Sequence, residues 1–161
     1  MLKYAQYNIS FQEVPDEISL VFSISHCLGN CKGCHSPYLQ QDIGKDLESD
    51  YLEIIEKYKD YITCICFLGG DRFPYQVNKL FSIIKKTYPH LKTCMYSGKH
   101  YEFSQFVPTY YQYENFDYYK NGEYVEELGG LDKETTNQKM IKILGFNNAE
   151  NITYKFREKK L

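Results

Sequence analysis

No stretch of this 161-residue chain approaches the roughly 20 consecutive apolar residues that a membrane-spanning helix requires, so a soluble protein with no membrane role is expected. Excess basic charge is also lacking. With 19 Lys and Arg against 21 Asp and Glu the formal charge is -2, and no basic stripe offers itself to a phosphate backbone. That argues against direct nucleic-acid binding, although Tyr and Phe are plentiful and expected mostly in the core. Met1-Leu2-Lys3-Tyr4 leads into polar sequence with no apolar signal segment. The expectation is a cytoplasmic chain whose six cysteines stay reduced rather than forming a disulfide framework. No Ser-His-Asp or paired-carboxylate constellation stands out. No repeat or low-complexity tract interrupts the chain. Its length suits one domain over residues 1–161, with a real core and no room for a second catalytic domain.

What is present is an alternation of β-branched, aromatic segments with segments of helical period. This is the pattern of repeated βα units around a mainly parallel sheet. Ile18 to Ser25 reads as a strand that runs straight into a cysteine loop. A helix is expected from Asp50, capped by that residue with Glu53 three positions on, its stripe being Leu52, Ile55 and Tyr58/Lys59. Ile62 to Leu68 reads as a buried strand. A second helix opens at Pro74, carries Val77, Leu80, Phe81, Ile84 and Tyr88 on one stripe, and stops at Pro89. Leu91 to Tyr96 is the next strand, followed by the turn Ser97-Gly98 and a short segment around Tyr101 to Phe106. Phe116 to Tyr119 and Tyr124 to Leu128 flank Asn121-Gly122, a dipeptide that signals a hairpin. Gln138 to Leu144 has weak helical character and Ile152 to Phe156 has strand character. The fold class expected is α/β: an incomplete βα barrel or open, curved, mainly parallel sheet with a C-terminal hairpin-like segment.

Cys27, Cys31 and Cys34 occur in His26-Cys27-Leu28-Gly29-Asn30-Cys31-Lys32-Gly33-Cys34-His35, spaced C-x3-C-x2-C. A four-iron cluster is normally held by four thiolates, so three with no evident fourth suggest one iron left open to a small molecule. Structural zinc wants a closed tetrahedron. His26 or His35 could complete one, but each adjoins a cysteine, and neighbouring side chains rarely converge on one tetrahedral ion. A zinc-stabilised interaction module remains the alternative from another class. Cys31-Lys32-Gly33-Cys34 also has the spacing of a redox dithiol, a reading that leaves Cys27 unexplained. Three unrelated buried thiols would sit badly with so polar and glycine-containing a loop.

One βα unit further on, Thr63 to Leu68 ends in Gly69-Gly70-Asp71. Glycines let backbone approach a ligand closely, and a carboxylate beyond them can accept from an ammonium group. Alone this is an ordinary turn, but in a parallel sheet it leaves the same edge as the cysteine loop and can face the same mouth. The remaining thiols, Cys64, Cys66 and Cys94, read as small buried side chains, Cys64 and Cys66 sharing one sheet face. Tyr110-Tyr111-Gln112-Tyr113 reads as packing aromatics, and Lys155 to Lys160 as a solvated basic tail.

Taken together, these motifs resemble the radical S-adenosylmethionine enzymes, and among them the anaerobic ribonucleoside-triphosphate reductase activating proteins. The resemblance runs from the first strand to about Lys139. It is carried by Leu20-Val21-Phe22-Ser23, the cysteine motif with Cys34-His35, Leu68-Gly69-Gly70-Asp71, Tyr96-Ser97-Gly98, Asn121-Gly122-Glu123-Tyr124 and Thr135-Thr136-Asn137-Gln138. The chain departs from that family where Phe11 to Glu17 replaces a glycine-rich loop, and where Arg72-Phe73 separates Asp71 from Pro74. The resemblance implies that Cys27, Cys31 and Cys34 bind a [4Fe-4S] cluster and that Gly69, Gly70 and Asp71 hold the amine of S-adenosylmethionine. It also implies that Gly33, Cys34, His35 and Ser97 lie close to that cofactor. The partners implied are the reductase, a glycyl-radical protein, and an electron donor such as flavodoxin or ferredoxin.

Overall fold

A computed structural model describes residues 1–99 and 114–158. Tyr101 to Phe106 and the run Tyr110-Tyr111-Gln112-Tyr113 lie outside the described residues. In chain order the elements are β1 (Lys3–Ser10), β2 (Ser19–Ile24), β3 (Lys45–Asp46), α1 (Leu47–Tyr58), β4 (Cys64–Leu68), α2 (Pro74–Thr87), β5 (Lys92–Tyr96), β6 (Tyr118–Asn121), β7 (Lys139–Gly145) and β8 (Asn148–Asn151). Short 3-10 helices occupy Pro37–Gln40 and Thr153–Phe156. No helix among the described residues is long and apolar enough to cross a membrane.

The strands form one eight-stranded sheet in the order β3-β1-β2-β4-β5-β6-β7-β8. The four central strands run parallel, β2 to β4, β4 to β5 and β5 to β6, while the flanking pairings are antiparallel. The sheet is therefore mixed rather than mainly parallel. A parallel neighbour needs a crossover; α1 and α2 lie on the returns to β4 and β5, and the outer strands are added as antiparallel neighbours.

Alternation along the central strands sorts side chains onto two buried faces. Leu20, Phe22, Ile65, Phe67, Met95 and Tyr119 join the core beneath α1 and α2. Phe22 meets Phe67 at 5.7 Å between ring centroids, Phe67 meets Phe81 of α2 at 4.7 Å, and Phe81 meets Phe116 at 4.8 Å. Val21, Cys64, Cys66, Cys94 and Tyr118 join a second cluster with Val14, Met140 and Ile152. Because both faces are buried, every position of β2 is buried, Ser19 and Ser23 included, and the strand shows no alternation of exposure.

The second helix forms as expected, with Val77, Leu80, Phe81 and Ile84 buried and Pro74 in its first turn. The first starts earlier than Asp50: Asp46 is the cap, its side chain accepting from the Glu48 amide at 3.1 Å. Asp50 instead accepts from the Tyr4 hydroxyl at 2.7 Å. The buried stripe accordingly runs through Leu47, Tyr51, Ile54 and Ile55, and Leu52 is exposed.

Three further expectations are corrected in the C-terminal third. Asn121-Gly122 closes no hairpin: β6 pairs with β7 in the register Asn121↔Lys139, and Tyr124 to Leu128 belongs to the intervening loop. Gln138 to Leu144 is extended, as β7, because Met140 and Ile141 are needed against β6. Ile152 to Phe156 turns into a 3-10 helix, whereas the true hairpin joins β7 to β8 across Phe146-Asn147, with Asn147 at φ 55°.

Candidate metal centre

The chain leaves β2 into a loop whose two ends are pinned together. The amides of His26 and Cys27 donate to the carbonyls of Gln41 and Leu39 at 3.0 and 2.9 Å, and the Ser25 hydroxyl donates to the Ile43 carbonyl at 2.6 Å. Between these pins Cys27 is exposed, and Cys31 and Cys34 are half-buried. The Gly29 amide donates to the Cys27 sulfur at 3.3 Å and the Ser36 amide to the Cys34 sulfur at 3.4 Å. A Cβ on Gly29 would lie 3.5 Å from the sulfurs of both Cys27 and Cys31, so the backbone there is cradled between two thiols. Partial burial raises the Cys27 thiol above its ordinary value, the Gly29 amide works against this, and Asp71, Cys31 and Cys34 add to it.

Gly69 and Gly70 end β4 at φ 104° and 115°, a region closed to residues with a side chain. Gly70 is also pressed close: a Cβ there would lie 2.8 Å from Val77 Cγ2. This turn aims Asp71 across to the end of β5, where its Oδ1 accepts from the Ser97 hydroxyl at 2.5 Å and its Oδ2 from the Gly98 amide at 2.9 Å. Ser97 is buried, and its hydroxyl also accepts from the Lys99 amide at 3.0 Å. The structure thus gives Ser97 the task of holding Asp71. Arg72, in the insertion before Pro74, donates from Nε to the His26 carbonyl at 3.3 Å and ties this turn to the start of the cysteine loop.

Gly33 and His35 are met by the loop that follows β6. The His35 ring lies 5.1 Å from that of Tyr124, and a Cβ on Gly33 would come within 2.9 Å of Glu126 Cδ. Lys32 reaches Glu126 and Glu127 at 3.6 and 3.8 Å, exposed pairs of small energetic weight. The Asn137 and Gln138 side chains donate to the carbonyls of Glu123 and Gly122 at 3.0 and 3.4 Å. The two motifs are thereby joined in the loop that meets Lys32, Gly33 and His35.

Sequence reasoning missed Lys120. Its side chain is buried, with Nζ donating to the carbonyls of Gly122 at 2.6 Å and Ser97 at 3.4 Å. Burial pushes this ammonium down to about 8, against the attraction of Asp71, Cys31 and Cys27. The signal that could have found it is a lysine among the aromatic residues of a short strand. Cys64, Cys66 and Cys94, by contrast, lie fully buried on the sheet's second face, away from the loop motif.

The donor set fits an iron–sulfur cluster: three thiols on a glycine-bearing loop, two of the sulfurs already met by backbone amides. Among the described residues no three His, Cys, Asp or Glu side chains close round a single ion. A four-iron cluster does not ask for that, since each thiolate binds a different iron. The class of protein, an iron–sulfur protein, comes from the family comparison. A family model described as a 4Fe-4S single cluster domain matches residues 18–143, and the chain belongs to that family. No curated protein and no solved structure matches the chain.

Proposed function

We propose that this iron–sulfur protein is a radical S-adenosylmethionine activase that creates a glycyl radical on an anaerobic ribonucleoside-triphosphate reductase. The observation that carries the reading is the meeting of three strand ends: the cysteine loop from β2, Asp71 from β4 and Ser97 from β5, with Ser97 bonded to Asp71 and Arg72 bonded to the His26 carbonyl at the start of the cysteine loop. In a parallel sheet, strand C-termini share one edge, the usual place for a ligand.

When bound at Cys27, Cys31 and Cys34, the cluster would supply one electron to the sulfonium of S-adenosylmethionine, yielding methionine and a 5′-deoxyadenosyl radical that takes a hydrogen atom from the partner's glycine. The chain's own residues bind, orient and shield. Asp71, fixed by Ser97 and Gly98, offers carboxylate lone pairs to the methionine ammonium, while Gly69 and Gly70 let the backbone come close. His35, backed by Tyr124, presents a flat ring beside Cys34. The loop that carries Tyr124 and Glu126 packs on His35 and Gly33, on either side of Cys34, and would limit water there with the cofactor bound. Phe11 to Glu17, the segment that departs from the resembling family, contributes Val14 to the second core and the buried Glu17, which accepts from Tyr118 at 2.7 Å. The electron is drawn from a donor such as flavodoxin or ferredoxin, in a cytoplasmic setting.

The test is anaerobic reconstitution with iron and sulfide, followed by dithionite and S-adenosylmethionine. About four irons and four sulfides per chain, with 5′-deoxyadenosine and methionine as products, support the proposal, and a glycyl-radical signal on added reductase identifies the partner. A full cluster that cleaves nothing, with or without the reductase, defeats it. A radical on another glycyl-radical enzyme alone would move the partner, and stoichiometric zinc without sulfide would favour an interaction module.

A further inference from the structure

Among the described residues Lys120 is the one buried Lys or Arg. Taking an ammonium out of water costs several kcal/mol in order of magnitude, and an apolar side chain would serve simple packing better. Its head is nevertheless held firmly. The Gly122 carbonyl accepts one of its protons at 2.6 Å, the Ser97 carbonyl a second over a longer 3.4 Å, and the Tyr96 ring centroid lies 5.6 Å from Nζ. These partners fix the charge beneath the ends of β5 and β6. Ser97 in turn holds Asp71, and Arg72, next along, reaches the His26 carbonyl at the start of the cysteine loop; burial lowers the ammonium, with Asp71, Cys31 and Cys27 acting against that. A buried cation is therefore hydrogen-bonded to the residue that holds Asp71, at the strand-end edge where the cysteine loop begins.

We propose that Lys120 is the electrostatic positioning residue of the cluster: its buried ammonium balances the negative charge at the mouth and favours the uptake of one electron from an external one-electron donor. The donor is oxidised by one electron and the cluster reduced by one, and no bond is made or broken at the lysine. The inference rests on the cluster being held by Cys27, Cys31 and Cys34, and is independent of the substrate it serves. The scale is general: at an effective dielectric of about 20, two unit charges about 10 Å apart interact by enough to shift a one-electron equilibrium on the order of tenfold. An apolar residue in its place makes the cluster harder to reduce.

The experiment is a dithionite titration of the cluster-loaded full chain, followed by electron paramagnetic resonance, for the wild type, Lys120→Met and Lys120→Arg. Lys120→Met is expected to hold the same iron and sulfide but to show, at the wild-type midpoint, a ratio of reduced to oxidised cluster about tenfold lower, or about 59 mV for one electron. Lys120→Arg, which keeps the charge, is expected to stay near the wild type. An unchanged midpoint in fully loaded Lys120→Met overturns the inference and leaves Lys120 as a tie between strand ends. Should that variant fail to fold or load, the wild type decides by its midpoint between pH 7.5 and 9.5, above the ordinary histidine range. The groups facing Lys120 are Asp71, Cys27, Cys31 and Tyr96, whose phenol burial keeps protonated. A midpoint that falls as the ammonium loses its proton supports the role, and a flat profile overturns it. A wild-type chain that takes up neither iron nor sulfide overturns the site itself, and the inference with it.

Discussion

The Ser97 hydroxyl donates to the Asp71 carboxylate at 2.5 Å, joining the ends of β5 and β4 at the edge where β2 delivers the cysteine loop. The Gly98 amide takes the other carboxylate oxygen at 2.9 Å. A carboxylate held at both oxygens has one orientation, and that orientation is what a ligand's ammonium would meet. Asp71→Ala is therefore expected to impair S-adenosylmethionine cleavage and leave iron content unchanged. Ser97→Ala removes one hydrogen bond to a charged group, worth about 1.5–3 kcal/mol, and should weaken cofactor affinity by roughly tenfold or more. Equilibrium binding to the reconstituted protein measures both. Wild-type affinity and cleavage in Asp71→Ala would place the amine-binding group elsewhere.

The two sets of thiols should behave oppositely. Cys31→Ala is expected to abolish stable iron and sulfide binding, since Cys31 belongs to the loop motif. Cys66→Ala should retain both, its thiol lying in the core beside Cys94 on the far face of the sheet, and should cost on the order of 1 kcal/mol in unfolding free energy. Loss of the cluster in Cys66→Ala, with the fold intact by circular dichroism, would contradict the assignment of ligands.

At Gly70 both backbone conformation and space refuse a side chain. Gly70→Ala should destabilise the iron-free chain by about 3 kcal/mol, combining an unfavourable φ with the Val77 contact. Thermal unfolding should shift downward by roughly 10 °C for a chain of this size. Since the clash is with Val77 Cγ2, Gly70→Ala and Val77→Ala should be coupled, the double variant losing less than the sum of the two. Strict additivity would show that backbone conformation alone carries the cost.

Alkaline stability follows from groups shifted in opposite directions. Burial raises the Cys64 and Cys94 thiols well above the ordinary value of 9.0, so the stability they contribute is present below pH 9 and lost as pH rises, when the unfolded chain sheds protons that the folded chain retains. Tyr4 and Tyr88, each raised from 10.0 to about 12, act with the same sign from pH 10 upward. Lys120 opposes them. Its folded value is lowered from 10.5 to about 8, so between those limits the unfolded chain binds more protons and rising pH stabilises the fold. Unfolding of the iron-free protein in urea should therefore become easier above pH 9, and more steeply so in Lys120→Met. An equal slope in the variant would show that Lys120 titrates alike in both states.

The sequence by itself determined the cysteine spacing, the Gly-Gly-Asp strand end, the central strands and the second helix, because each of these is set by neighbours in the chain: a loop between strands, a period of 3.6, a proline at either end. Two caps, Asp46 and Asp50, stood within about one turn of each other; the burial of Leu47 against the core starts the helix at Asp46, and Asp50 is left to accept from the Tyr4 hydroxyl, 46 residues away. Likewise Asn121-Gly122 carries a local turn signal, but pairing with Lys139 to Lys142 buries Met140 and Ile141, and that burial outweighs a two-residue preference. Tertiary structure alone set Ser97 against Asp71, Tyr124 against His35 and the Lys120 ammonium beneath the mouth. Those contacts join residues 23 to 89 positions apart in the chain. No local periodicity encodes such distances; they exist only once parallel strands have brought their ends to one edge.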